Sequence, residues 1–495
     1  MHAPKAERAP APASAPVQAP AQTPTGWFHV GHHLHHLQVA LAVASLVGLL
    51  HAFGYLGWLD AAMLRLAGAA DAAAVRSSAP DGMPEMLLID DAMFERDFEQ
   101  RSPLDRAGLE RLLRALLGDP ARSPKVLVID LDISDNGQDA AQGQLDAVLG
   151  RAVRAGLQLV LAVPPSVNSP AAITRKRAWM RSLRDQACAR EATGTAPQGS
   201  LRFASALVTT HADVVLQYSR DELTLGTAAR TLVGKPGACG QPDEVLDALL
   251  LGPGRGELKP FPVLMPFNAH FFGAVAGQTR RVQSLDAPLG AAATAGPAPG
   301  LAGKVVFLGG SYDPRDRFSV PLAPDGKPMD GVELHAATFY SALHPVTEVN
   351  TLLAWAADVV LGFACGWAFQ LLWAVQARSA GLAGWWGYFA PKFVLLLSLA
   401  AAGLLACISV MMAAHWFYPN NYWISPGPVV LGVFAKLLLT ALHRDGDHAG
   451  EHGSHTAPPA TDTPVRASPA ARGRLDWAFV LVLVFACIII VLRHH

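Results

Sequence analysis

Five carboxylates stand where short apolar runs end. Asp90 and Asp91 close MLLIDD, Asp130 and Asp132 close VLVIDLD, and Asp313 follows the VVFL of Val305–Leu308 by a few residues. Ligands of open α/β sheets collect at the carboxyl ends of strands, and carboxylate oxygens suit hard cations such as Mg or Ca. The same side chains serve equally to cap loops, accept backbone amides and pair with Arg106, and that plainer reading is favoured. Asp90, Asp91, Arg106, Asp130, Asp132 and Asp313 are the candidate ligand-binding set. No metal or cofactor is assigned.

A second stretch invites a chemical reading: GKVVFLGGSYDPRDRFSVPLAPDGKPMDGVELHA, from Gly303 to Ala336. Ser311 after two glycines looks like a nucleophile, but GGSYD lacks the second glycine of the G-x-S-x-G elbow. There is no Gly-Lys-Ser/Thr end to cradle a phosphate either. Gly309 and Gly310 read as a turn that a side chain would forbid. Asp330 and Glu333 have the spacing of a capping box, and Val332, Ala336, Phe339, Tyr340 and Leu343 trace the apolar stripe of the helix it opens. His335 on that helix reads as a hydrogen-bonded core histidine. The histidines of HVGHHLHHL and of the segment after residue 442 are read as solvated spacer, since nothing fixes a ligand geometry. No catalytic residue is identified and the chain is expected not to be an enzyme.

Short continuous apolar runs at Met86–Asp90, Val126–Asp130, Leu157–Val163 and Val305–Leu308 are those of strands covered on both faces. Between them SPLDRAGLERLLRALLG reads as a helix capped by Ser102, started by Pro103 and ended by Gly118, with Leu109, Leu112, Leu113 and Leu116 on one side. QLDAVLGRAVRAG is another. Strand, helix, strand at this spacing predicts an α/β domain over residues 60–347 with a mainly parallel core sheet.

An all-α transmembrane part flanks it. Residues 37–59 contain no Asp, Glu, Lys or Arg, and a helix of that length crosses a hydrocarbon core of about 30 Å. Apolar runs at 352–375, 393–414 and 423–442 form a three-helix module over 348–442, and 477–492 is a shorter fifth run. Residues 1–36 form a disordered Ala/Pro- and His-rich tail, and 443–476 a disordered linker. Arg and Lys around the linker and between the second and third runs, set against their absence from HWFYPNNYWIS (415–425), place the N-terminus in the cytoplasm and the α/β domain outside an inner (plasma) membrane. The net charge of -1 excludes a nucleic-acid partner, and the lipid bilayer is the one partner that composition implies. Asp358 inside the second run is a functional candidate because an ionisable group in hydrocarbon is costly. Cys188 and Cys239 are the two cysteines on the oxidising side, either bonded to each other or free.

These motifs resemble the CHASE type-two extracellular sensor domain of bacterial signalling receptors. VVFLGGSYD, VPLAPDG and MDGVELHA are similar to the strand, loop and helix that close that domain. LLIDD with PLDR resembles its first strand and helix start, with Arg106 in the arginine position, and KVLVIDLDIS its second strand. The resemblance covers roughly residues 60–347 and implies a receptor, here expected without a fused kinase or cyclase. The signal, an unknown small molecule or peptide, would pass through the membrane helices to a separate signalling protein or to a second copy of the chain. Gly309, Gly310, Asp330, Glu333, His335 and Asp358 are the candidate relay residues. The alternative is a small transporter or channel-like module with a soluble cap.

Overall fold

The computed structural model describes residues 30–435 except 53–54, 68–80, 120–121, 136, 138, 164–168, 190–197, 209, 211–214, 216, 221–222, 235–237, 252–263, 290–299, 321–322, 324–327, 349–350, 381–384 and 421. The expected tail, the linker and the fifth apolar run lie outside the described residues, apart from the last few tail positions.

In chain order the elements are helices α1 (Val30–Ala52) and α2 (Gly57–Ala67), strand β1 (Glu85–Ile89), α3 (Asp91–Phe98), α4 (Arg106–Leu117), β2 (Val126–Asp130), α5 (Gln142–Arg154), β3 (Gln158–Val163), α6 (Pro170–Cys188) and β4 (Ser200–Ser205). There follow β5 (Gln217–Ser219), α7 (Leu225–Gly234), α8 (Asp243–Leu251), β6 (Leu264–Pro266), α9 (Ala269–Gln278), β7 (Thr279–Arg281), β8 (Val305–Gly310), β9 (Arg317–Phe318), β10 (Met329–Asp330) and α10 (Gly331–Leu343). β11 (Thr347–Glu348), α11 (Thr351–Ala380), α12 (Trp385–Met412) and β12 (Tyr422–Trp423) complete that order, and a further apolar helix, α13, covers Pro426–Ala435.

The core is a six-stranded sheet in the order β4-β3-β2-β8-β1-β7, parallel at every pairing. Side chains alternate across it, and both faces are covered. Leu87, Ile89, Leu127, Ile129, Leu159, Leu161, Val306 and Leu308 pack under α3–α6 and α8. Met86, Leu88, Val126, Val128, Val160 and Phe307 pack under α7, α9 and α10. Burial on two faces is why these strands read as unbroken apolar runs. The mainly parallel α/β reading therefore holds.

Local details depart from expectation. Helix α4 starts later than predicted: Asp105, not Ser102, is its cap and accepts a hydrogen bond from Gly108 N. β8 runs through both glycines, with Gly309 paired to Leu88 and Gly310 to Ile89, so they extend the strand instead of turning it. The reason for glycine is close approach. A Cβ at Gly309 would sit 2.6 Å from Val332 Cβ, and one at Gly310 would sit 2.4 Å from the Tyr312 ring. Cys188 and Cys239 form a disulfide with Cα atoms 5.5 Å apart.

Outside the sheet, two helices among the described residues are long and apolar enough to cross a membrane, within Leu352–Phe369 and Lys392–Phe417. The first apolar run is divided, because α1 ends at Ala52 and α2 begins at Gly57. The fourth begins later than expected: Tyr422–Trp423 pairs as a strand with Thr347–Glu348, and the described helix is Pro426–Ala435. Buried Asp60 on α2 joins these parts, accepting hydrogen bonds from Ser425 Oγ and from Gly427 N, the latter at 2.7 Å. Tyr418 and Trp423 belong to the same apolar cluster as α10 and the sheet. At the far end of α10, His344 Nε2–H donates to Asp81 O at 3.2 Å.

Candidate functional site

The carboxyl ends of β1, β8 and β2 lie side by side, and the loops leaving them carry the predicted carboxylates. Four of these are engaged locally. Asp90 caps α3 by accepting from Met93 N at 3.0 Å and lies 3.4 Å from Arg281. Asp91 is exposed, 4.0 Å from Arg317. Asp132 accepts from the amide and hydroxyl of Ser134 and pairs with Lys176 at 3.3 Å. Asp313 caps the single 3-10 turn Pro314–Asp316 through Arg315 N at 2.9 Å.

Arg106 is buried and works on a neighbouring loop. Its guanidinium donates to Gln142 Oε1 at 3.0 Å, Leu104 O at 3.0 Å and Ser134 O at 2.8 Å, and its amide donates to Asp139 Oδ2 at 3.0 Å. Burial pulls its pKa down, against the pull of Asp132 and Asp139. The planar fork thus holds the chain after β2 in place; the structure gives it no hydrogen bond to Asp90, Asp91 or Asp130 among the described residues.

Asp130 differs from the other four. Its side chain is 10% exposed, no hydrogen bond reaches it from the described residues, and its Oδ2 lies 3.9 Å from His335 Nε2. Burial raises its pKa to about 7. His335 Nε2–H donates to Ala206 O at 3.2 Å, and burial holds its pKa at about 4, so the ring is neutral and offers Asp130 no countercharge near neutrality. Asp316, which the sequence did not single out, joins them. Burial and the Asp130 charge raise it to about 7. Its carboxylate rests against the backbone of Gly331, where a Cβ would stand 2.4 Å from Oδ1. The spacing DPRD was the available signal: one 3-10 turn brings a second carboxylate round behind Asp313. Above them Tyr312 stacks on Phe94 at 4.0 Å, and burial pushes its hydroxyl to about 12.

Asp330 and Glu333 complete the capping box at the start of α10, with Asp330 N donating to Glu333 Oε2 at 3.1 Å. Arg317 Nε donates to Asp330 at 3.3 Å, and Thr279 Oγ1 donates to Glu333 at 3.4 Å. The site therefore brings together Asp130, His335, Asp330, Glu333, Gly309 and Gly310 from the predicted residues. Asp358 is far from it in the fold, on α11, where it borders a cleft with Ala40, Ala44, Gly362, Pro428 and Gly432. Among the described residues no three His, Cys, Asp or Glu side chains converge to hold a metal ion.

A doubly wound α/β domain thus lies between apolar helices, and the carboxylate-bearing edge of its sheet abuts a capped helix, α10, that leads toward the longest of them, α11. The chain belongs to the CHASE2 domain family, whose model matches residues 40–375. That family is a family of extracellular sensor domains in membrane receptors. The match exceeds the 60–347 resemblance at both ends, taking in parts of α1 and α11. No curated protein and no solved structure matches the chain.

Proposed function

We propose that this chain is a multi-pass membrane sensor: its CHASE2 domain stands outside the inner membrane, detects a signal at the carboxyl edge of its sheet, and relays it through its membrane helices. The observation that carries this reading is the loop between α12 and α13. Helix α11 leaves the domain after β11, α12 comes back, and the loop that follows sets Tyr418 and Trp423 into the domain's own core and pairs with β11. Two apolar helices that depart and return to the same surface are a membrane hairpin with the domain on one side. Leu352, Leu353, Val360, Trp367 and Val375 remain exposed along α11, a surface for lipid and for the helices of a separate signalling protein or second copy. The domain has no catalytic task in this scheme.

Alkaline phosphatase fusions test it. A fusion after residue 347 is active and one after residue 383 inactive in a bacterial host; equal activity at both sites removes the hairpin. The Asp358 cleft favours a second reading, a transporter-like module with a soluble cap, which solute flux by the purified chain in liposomes would reveal.

A further inference from the structure

We propose that Asp130 and Asp316 form a proton-binding site whose occupancy sets how α10 is seated on the sheet. Two observations carry it. Asp130 is nine-tenths buried without a hydrogen bond from the described residues, and its Oδ2 lies 3.9 Å from His335; Asp316, whose pKa the Asp130 charge raises, is half-buried, receives none from them either and rests on Gly331, one helical turn before His335. Two carboxylates that share a poorly hydrated site cannot both ionise at low cost, so one proton is retained between them. A proton needs neither a cavity nor a metal.

Of the groups that face the pair, His335 alone pulls Asp316 down, and its own depressed pKa leaves it uncharged near neutrality. From the loop after β8 come Asp313 and the un-ionised Tyr312; from α10 and its cap come Asp330 and the neutral His335. Arg317, the cation on β9, is taken up by Asp330, by Ser311 O at 2.7 Å and by Asp91. Lys176 sits on Asp132 and Arg281 on Asp90. No Lys or Arg contributes to the shift of either Asp130 or Asp316, and both stand near 7.

Loss of the proton must therefore be met by separation of the two carboxylates or by entry of water. Asp316 presses on Gly331, the first residue of α10, and Asp130 lies beside His335 one turn further on. Separation acts across that turn. A helix of 13 residues carries the displacement about 20 Å to His344 and the β11–β12 junction. Proton binding itself is independent of the membrane reading, and only this last step rests on it.

The test uses the full chain in lipid nanodiscs. Amide exchange in the first two turns of α10, corrected for intrinsic rates, is followed between about pH 5.5 and 8. Protection is expected to fall about tenfold with a midpoint near 7, the equivalent of one pKa unit of coupling. Asp316→Asn and Asp130→Asn abolish the step. Infrared spectra of the unmodified chain should show a protonated-carboxyl band at pH 6 that fades by pH 8, a readout that stands if either variant fails to fold. A flat exchange profile, a step that persists in both variants, or absence of that band overturns the proton site. The fusion results report separately on the hairpin.

Discussion

Arg106 makes more hydrogen bonds than any carboxylate it was expected to neutralise, and all but its amide bond go to neutral oxygens. Removing it takes the guanidinium from Ser134 O, Leu104 O and Gln142 Oε1 in a buried place. Arg106→Ala should lower stability by roughly 3 to 5 kcal/mol in urea titrations, and Arg106→Lys should recover little of it, because an ammonium cannot reproduce the fork. A loss below about 1 kcal/mol would mean that water replaces the guanidinium. The carboxylates show what residue types alone conceal. Asp90, Asp130 and Asp132 looked alike in sequence, each at the end of an apolar run. Only the fold distinguishes Asp130, whose register under α10 removes it from both amides and water. His335 was legible as a core histidine; its neighbour Asp316, part of a loop with no periodicity, was not. The pH dependence of stability follows from these shifts. Raised carboxylate pKa values near 7 mean that the stabilisation from protonated Asp130 and Asp316 is complete below about pH 4 and lost by pH 7, whereas His335, lowered to about 4, contributes fully only above pH 6.5. The opposing slopes between pH 4 and 6.5 partly cancel.

Packing between elements depends on glycine at β8. Gly309→Val brings methyl groups into Val332 and should cost about 1 to 3 kcal/mol, read as a lower urea midpoint. The pair Gly309→Ala with Val332→Ala should recover part of that cost, and failure to do so would place the clash elsewhere. The strands β1, β2, β3 and β8 were legible because double-sided burial writes itself as an apolar run. β4 was not, since SLRFAS interrupts its apolar positions with Arg202. Its outer edge is closed by a device with no sequence signature: Gln241 accepts from Phe203 N at 2.6 Å and donates to Phe203 O at 3.0 Å, in place of a further strand. The Cys188–Cys239 bond anchors that edge, with Cys239 O accepting from Leu201 N at 2.7 Å. It closes a loop across a separation of 51 residues, so reduction should destabilise the domain by about 2 to 4 kcal/mol and first loosen amide protection in β4. Unchanged protection there on reduction would contradict the anchoring role.

At the level of the molecule, hydropathy identified the apolar runs of α11 and α12, but it ran α1 into α2 and β12 into α13. Those two breaks share a cause. Asp60 ties α2 to the start of α13, the Tyr422–Trp423 pairing ties the returning chain to β11, and tertiary contacts of this kind leave no periodic trace. The α/β domain begins and ends at one place, where the Asp81 carbonyl meets the His344 ring. A domain whose two ends coincide is, in chain terms, an insertion. Residues 81–344 could be lifted out and the gap bridged by a few flexible residues without pulling the flanking helices apart, or grafted into a surface turn of another protein without stretching that host. The α/β domain is in this sense a cassette within the matched CHASE2 region, one whose exchange would also have to supply the core contacts that Tyr418 and Trp423 make with it.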